Sequence, residues 1–175
     1  MKLSDIVEPG DLIFPSGDAT ISKLIKKATF SPVNHVAIVY DKTKTFETDG
    51  AWGKAMFRDL SNYEGKKIAI GRLLGVSKEQ KEEIQDLCKL YENSPYSYWD
   101  VILNGMIFWL DENLRNSLAN KLGTKKYMKC DELGARIIFE GTGYSPFEKY
   151  SSFTPGELYR IVANWKDWQI VYSTL

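Results

Sequence analysis

The chain holds one histidine, His35, and two cysteines, Cys88 and Cys130. An imidazole and a thiol are the two halves of a nucleophile and base, provided that folding brings them together and a third group fixes the ring. Cys130 opens the stretch 130-CDELGARIIFEG-141. At helical spacing Cys130, Leu133, Gly134, Ile137 and Ile138 share a face, which puts the thiol at the top of an apolar stripe and in the first turn. Unpaired backbone N–H groups and the positive end of the helix dipole favour a thiolate there. The same N–H groups could hydrogen-bond an oxyanion developing beside the sulfur. Lys125, Lys126 and Lys129 add positive charge just upstream, while Asp131 and Glu132 oppose it. Cys88 lies mid-helix near Leu87 and Leu90, away from any terminus, and reads as a small buried hydrophobe.

His35 begins 34-NHVAIVY-40, a run of strand character. The groups that could hold its tautomer are Glu47 and Asp49, on the next strand. A hairpin loop of three or five residues puts 47 and 49 on the face shared by 35 and 37, whereas a loop of two or four puts Thr48 there. A flat ladder leaves Glu47 several residues along from His35, so strong coiling is expected if the two meet.

The remaining signals say what positions these groups. Pro9-Gly10 turns into the strand 11-DLIF-14, and a short helix covers 19-ATISKLIKKA-28. The strand at His35, a polar turn 41-DKTK-44, the strand 45-TFET-48 and the strand 67-KIAIGRLL-74 follow. After Gly75 the period becomes helical. Ser77 and Gln80 form a capping box for a helix to about Tyr91, with Ile84, Leu87, Cys88 and Tyr91 on its apolar face. Pro95 ends that segment. Asp100 can cap a second helix through 101-VILNGMIFWL-110, and a third runs from about Lys129 to Glu140, stopped by 141-GTG-143. Pro155 opens a short helix over 155–163, and 168-WQIVYS-173 reads as a closing strand. Strands first and helices second predict an α+β fold in one domain spanning 1–175.

Composition narrows the functions available. Apolar residues are 43% and charged residues 26% of 175, an ordinary globular balance. A chain of this length buries on the order of 70% of its unfolded surface, so it needs neither disulfides nor a metal to fold. With 23 basic and 23 acidic residues, it lacks the charge footprint of a nucleic-acid binder. Asp5, Glu8 and Asp11 in the opening residues do not fit a secretory signal, and 101–110 is about half a membrane span. The expectation is a cytoplasmic protein with no transmembrane segment. One histidine and two distant cysteines make no zinc site, so neither metal nor cofactor is expected.

A histidine opening a strand, an acid twelve positions on and a cysteine opening a late helix together resemble the circularly permuted branch of the NlpC-type papain-like superfamily. These are the YiiX/YebB-like cysteine hydrolases, to which lecithin retinol acyltransferases are more distantly similar. In unpermuted members the cysteine helix precedes the strands; here the strands come first. The piece 9-PGDLIF-14 resembles the family's Gly-Asp entry strand, 35-HVAIVYDKTKTFETDG-50 its histidine hairpin, and 94-SPYSYWD-100 its Pro-Tyr segment. The piece 130-CDELGARIIFEG-141 resembles its cysteine helix, and 154-TPGELY-159 its closing segment. The resemblance implies an antiparallel sheet or partial barrel packed against a helical half that carries the cysteine. It implies Cys130 as nucleophile, His35 as base, Glu47 as the orienting group and Tyr96 near the oxyanion. Asp131 stands where serine is common, placing an anion beside the sulfur. The implied activity is a cysteine peptidase or amidase acting on a small peptide, of cell-wall type in many relatives. The acyltransferase relatives imply a lipid ester instead, and a non-catalytic binding relative is the third reading.

Overall fold

The computed structural model describes residues 2–28, 30–49, 53–95, 129–148 and 153–175. The expected helix over 101–110, Tyr96, and Lys125 and Lys126 lie outside the described residues.

Six strands form one open antiparallel sheet in the order β4-β3-β2-β1-β5-β6. They are β1 (Leu12–Pro15), β2 (Ala37–Val39), β3 (Lys44–Asp49), β4 (Lys54–Asp59), β5 (Ile68–Leu73) and β6 (Trp168–Ser173). The described helices are α1 (Leu3–Ile6), α2 (Thr20–Ala28), α3 (Lys78–Leu90), α4 (Cys130–Thr142) and α5 (Pro155–Asn164). The fold is α+β as expected, and of the two sheet forms the open one is adopted.

Alternation along the strands sorts the core into two layers. Leu12, Phe14, Val36, Ile38 and Phe46 face Leu133, Ile137 and Ile138 of α4 together with α3 and α5. Ile13, Ala37, Val39, Ile68 and Ile70 face the other way, onto Leu3, Val7, Leu60 and Tyr63. Burying each of Leu133, Ile137 and Ile138 contributes roughly 1.5–3 kcal/mol, which clamps α4 to the sheet.

Helix boundaries follow their caps. Ser77 accepts from the Gln80 N–H and Gln80 reaches back to Ser77, closing the expected box at the start of α3. Thr154 and Glu157 do the same for α5, with Pro155 at the first helical position. Gly143 ends α4 in the left-handed region at φ 72°. Two further glycines in α4 set how closely it packs. A Cβ on Gly134 would lie 3.1 Å from Val36 Cγ1, and one on Gly141 would lie 2.7 Å from Ile84 Cγ1.

Two features differ from the sequence reading. The strand expected from residue 34 is regular only over Ala37–Val39, so His35 precedes it; the Asn34 N–H bonds Pro15 O at 3.1 Å. Strand β4 had no sequence signal because it is a sheet edge whose Lys54, Arg58 and Asp59 break the alternation.

Candidate active site

The hairpin between β2 and β3 decides which acid meets the histidine. Tyr40 N bonds Lys44 O at 3.0 Å, which leaves a three-residue loop, Asp41 to Thr43. Asp41 Oδ1 accepts from the N–H groups of Thr43 and Lys44 at 2.7 and 2.8 Å and pins the turn. The register pairs Ile38 with Phe46 and Val39 with Thr45, so by continuation Ala37 faces Glu47. Glu47 is therefore a diagonal neighbour of His35 on the same face, within reach of a long side chain. The strong coiling expected from sequence is not needed.

His35 Nε2 and Glu47 Oε2 lie 2.6 Å apart. Glu47 is 7% exposed, and the same oxygen accepts a hydrogen bond from the Tyr63 hydroxyl at 2.8 Å. Burial works against the Glu47 anion, but the His35 hydrogen bond and charge, the Tyr63 hydroxyl and the Arg58 charge outweigh it and hold the carboxyl below its ordinary value. Burial and the neighbouring Glu47 push the Tyr63 phenol well above its ordinary value, so it remains a donor. Tyr63 was missed from sequence. It sits on a 3₁₀ turn, Leu60–Tyr63, sixteen residues after Glu47, where no periodic pattern marks it.

Cys130 is the first residue of α4 and is 7% exposed. Lys129, at the N-cap, makes no side-chain cap hydrogen bond, while the Asp131 carboxylate accepts from its own backbone N–H and the Glu132 carboxylate from that of Lys129. The sulfur and the imidazole interact. Burial is the largest influence on His35 and disfavours its charged form, yet the charge and hydrogen bond of Cys130, with those of Glu47, raise its pKa from 6.5 to about 10. With Nε2 committed to Glu47, the ring nitrogen left for the sulfur is Nδ1. His35 keeps 22% of its side chain open to solvent.

Asp131 is 3% exposed and lies beside the nucleophile, with Cys130 Sγ 3.7 Å from its Oδ1. Burial pushes its carboxyl up, and Oδ2 has no hydrogen-bond partner among the described residues. Cys88 is fully buried within α3, and burial pushes its thiol up, as its position away from a helix end leads one to expect. Of the residues singled out from sequence, Cys130, His35 and Glu47 come together. Tyr96 lies outside the described residues, as does the side chain of Asp49.

No protein-family model and no curated protein matches the chain. It does align with the crystal structure of the metalloprotein YiiX from Escherichia coli O157:H7, DUF1105, over 96% of this chain and 98% of that one, with a TM-score of 0.63. The chain has a YiiX-like fold. Sequence identity is 19%, so the likeness is one of architecture. YiiX is described as a metalloprotein; here, among the described residues, no three His, Cys, Asp or Glu side chains converge as a metal-binding set. The one histidine already gives Nε2 to Glu47. The described donors do not fit a metal, and no step below runs through one. No described helix is long and apolar enough to cross a membrane.

Proposed function

We propose that the chain is a cysteine hydrolase of the permuted NlpC-type papain-like kind, in which Cys130 attacks a carbonyl with His35 as base. The observation that carries this reading is the chain of contacts Tyr63–Glu47–His35–Cys130, whose charges favour an imidazolium beside the sulfur. Glu47 and Tyr63 are positioning residues: they fix the ring with Nδ1 toward the thiol and stabilise its charged form.

In the first step the Cys130 proton passes to His35 and the sulfur forms a C–S bond with the carbonyl carbon. The carbonyl oxygen becomes an oxyanion facing the N–H groups at the start of α4, and Tyr96 is proposed as a second donor. As the carbonyl re-forms, the bond to the leaving group breaks and the imidazolium gives it the proton. A water molecule, deprotonated by His35, then attacks the thioester, and Cys130 leaves as thiolate. General acid–base assistance of this kind is worth roughly 10²–10⁴ in rate, and an oxyanion donor about 10²–10³. An amine must be protonated to leave whereas an alkoxide needs that proton less, so a base that returns its proton to the leaving group is used most fully on an amide, such as a small peptide.

Selective alkylation tests the assignment. Iodoacetamide should label Cys130 near neutral pH and spare Cys88 in the folded protein, and His35→Ala should abolish that selectivity. Cys130→Ala should remove all turnover of peptide substrates. A folded Cys130→Ala protein that retains activity would refute the mechanism. A lipid acyl group trapped on Cys130, seen by mass spectrometry, would transfer the same chemistry to esters.

A further inference from the structure

Helix α2 turns a polar face inward. Ser22 is buried and packs on Gly17, where a Cβ would lie 2.8 Å from its Oγ. Lys26 is half-buried, with Nζ 3.0 Å from Ser16 Oγ and 4.0 Å from Asp18. Leu24 lies two positions from each of them, about 200° around the helix, and is 58% exposed. Lys23 and Lys27, one turn apart and both exposed, flank it. No described residue of α2 belongs to either apolar layer of the core. Just past the helix comes a second exposed apolar side chain. The Phe30 N–H bonds Lys27 O at 3.4 Å and the Ser31 N–H bonds Lys26 O at 3.0 Å, with Phe30 in the left-handed region at φ 47°. Glycine is the usual occupant of such a position, and a bulky side chain there is strained. Phe30 is nevertheless 77% exposed, so the protein's own packing does not account for its ring.

A water-facing leucine and phenylalanine beside lysines make the pattern of a helix that lies on a bilayer, with apolar side chains in the acyl boundary and cations among the headgroups. The charge fits an anionic surface. Between Asp18 and Asp41 the chain has Lys23, Lys26 and Lys27 and no Asp or Glu, although it is neutral overall. The same charge disfavours pairing of this face with a second copy. We infer that α2 and Phe30 dock the protein on an anionic lipid bilayer, Leu24 and Phe30 entering it and Lys23 and Lys27 meeting the headgroups. The surface is tied to the histidine segment: between Phe30 and His35, Ser31 and Val33 are buried, and Asn34 Oδ1 accepts the Gly17 N–H at 2.6 Å. Docking does not depend on the thiol-hydrolase reading.

Co-sedimentation of the full chain with lipid vesicles tests this. The protein should bind vesicles of phosphatidylcholine mixed with phosphatidylglycerol, bind phosphatidylcholine alone far more weakly, and come off as salt is added. A lysine near such a surface is worth about fivefold in affinity, so Lys23→Gln/Lys27→Gln should lose about twenty-five-fold. Both lysines are exposed, so this variant is expected to fold. Phe30→Gly should weaken binding about tenfold or more while its melting temperature stays level or rises, because glycine suits the left-handed backbone. Cys130→Ala should bind as the parent does, which separates docking from catalysis. Absence of binding to the anionic vesicles, or equal binding by either surface variant, overturns the inference. A lower melting temperature in Phe30→Gly overturns it too, because the ring then packs on protein. So does a dimer that Phe30→Gly dissociates, because the face is then a contact between copies.

Discussion

Glu47 Oε2 receives both the His35 ring and the Tyr63 hydroxyl, so its charge controls two neighbours at once. Replacing it by Gln in Glu47→Gln removes the anion that helps hold the His35 proton. The imidazole pKa must then fall, and the alkaline limb of kcat/KM against pH, expected near pH 10, should move to lower pH. Tyr63→Phe acts on the other limb. It removes a hydrogen bond that lowers the Glu47 pKa, so activity should be lost at a higher pH on acidification, with a stability cost of about 1–2 kcal/mol in urea unfolding. The pair also links folding to pH. Folding raises the His35 pKa from 6.5 to about 10, so its contribution is complete below pH 6.5 and is lost as pH rises toward 10. The depressed Glu47 adds stability above its ordinary value of 4.5, lost as acid protonates it in the fold. Asp131 Oδ1 accepts from the Cys130 thiol at 3.7 Å and so favours the protonated sulfur over the reactive thiolate; Asp131→Ser should speed iodoacetamide labelling at pH 6 several-fold, and an unchanged rate would show that the carboxyl is neutral there.

Helix α4 turns these residue properties into a site, because its first turn carries Cys130 and its glycines determine its seat. A Cβ at Gly134 meets only a valine methyl, which can shift, and alanine gains about 1 kcal/mol in helix propensity. Gly134→Ala should therefore leave the melting temperature nearly unchanged but slow His35-dependent alkylation of Cys130, since Val36 adjoins His35. Gly141 is tighter. Its Cβ would also come within 3.4 Å of Ile84 backbone N, so Gly141→Ala should destabilise by about 1–3 kcal/mol, seen as a lower urea midpoint. Cys130 and its stripe, the three capped helices and β6 were legible from sequence because period and cap chemistry are local. Hairpin face sharing was legible only as a conditional, since it depended on a loop length that Asp41 sets through its own turn. Tyr63 and β4 were not legible: one reaches Glu47 through a tertiary contact, and the other is a charged edge without alternation.

Across the molecule, Arg72 ties the two ends of the strand half together. Its guanidinium bonds Asp11 at 2.8 and 2.7 Å, Glu8 at 2.9 Å and the Ile6 carbonyl at 2.7 Å, which fastens the opening segment to β5. Asp11 is 1% exposed, so Arg72→Ala strands a buried carboxylate and should cost about 3 kcal/mol in urea unfolding. Because this anchor is remote from His35, alkylation of Cys130 in the variant that remains folded should proceed at the parental rate. Sequence supplied the α+β grouping, but the open sheet order with β6 returning beside β5 follows from long-range pairing that no local pattern encodes.

An N-cap whose own side chain makes no capping bond sets durability against turnover. Lys129→Ser would supply the missing cap and raise the melting temperature, worth about 1 kcal/mol. Its hydroxyl would occupy an amide on which the proposed tetrahedral adduct depends, so the sturdier protein should be the slower one. Selection for thermal resilience alone would then drift toward an inert scaffold, and an engineer seeking robustness should leave residue 129 as it is.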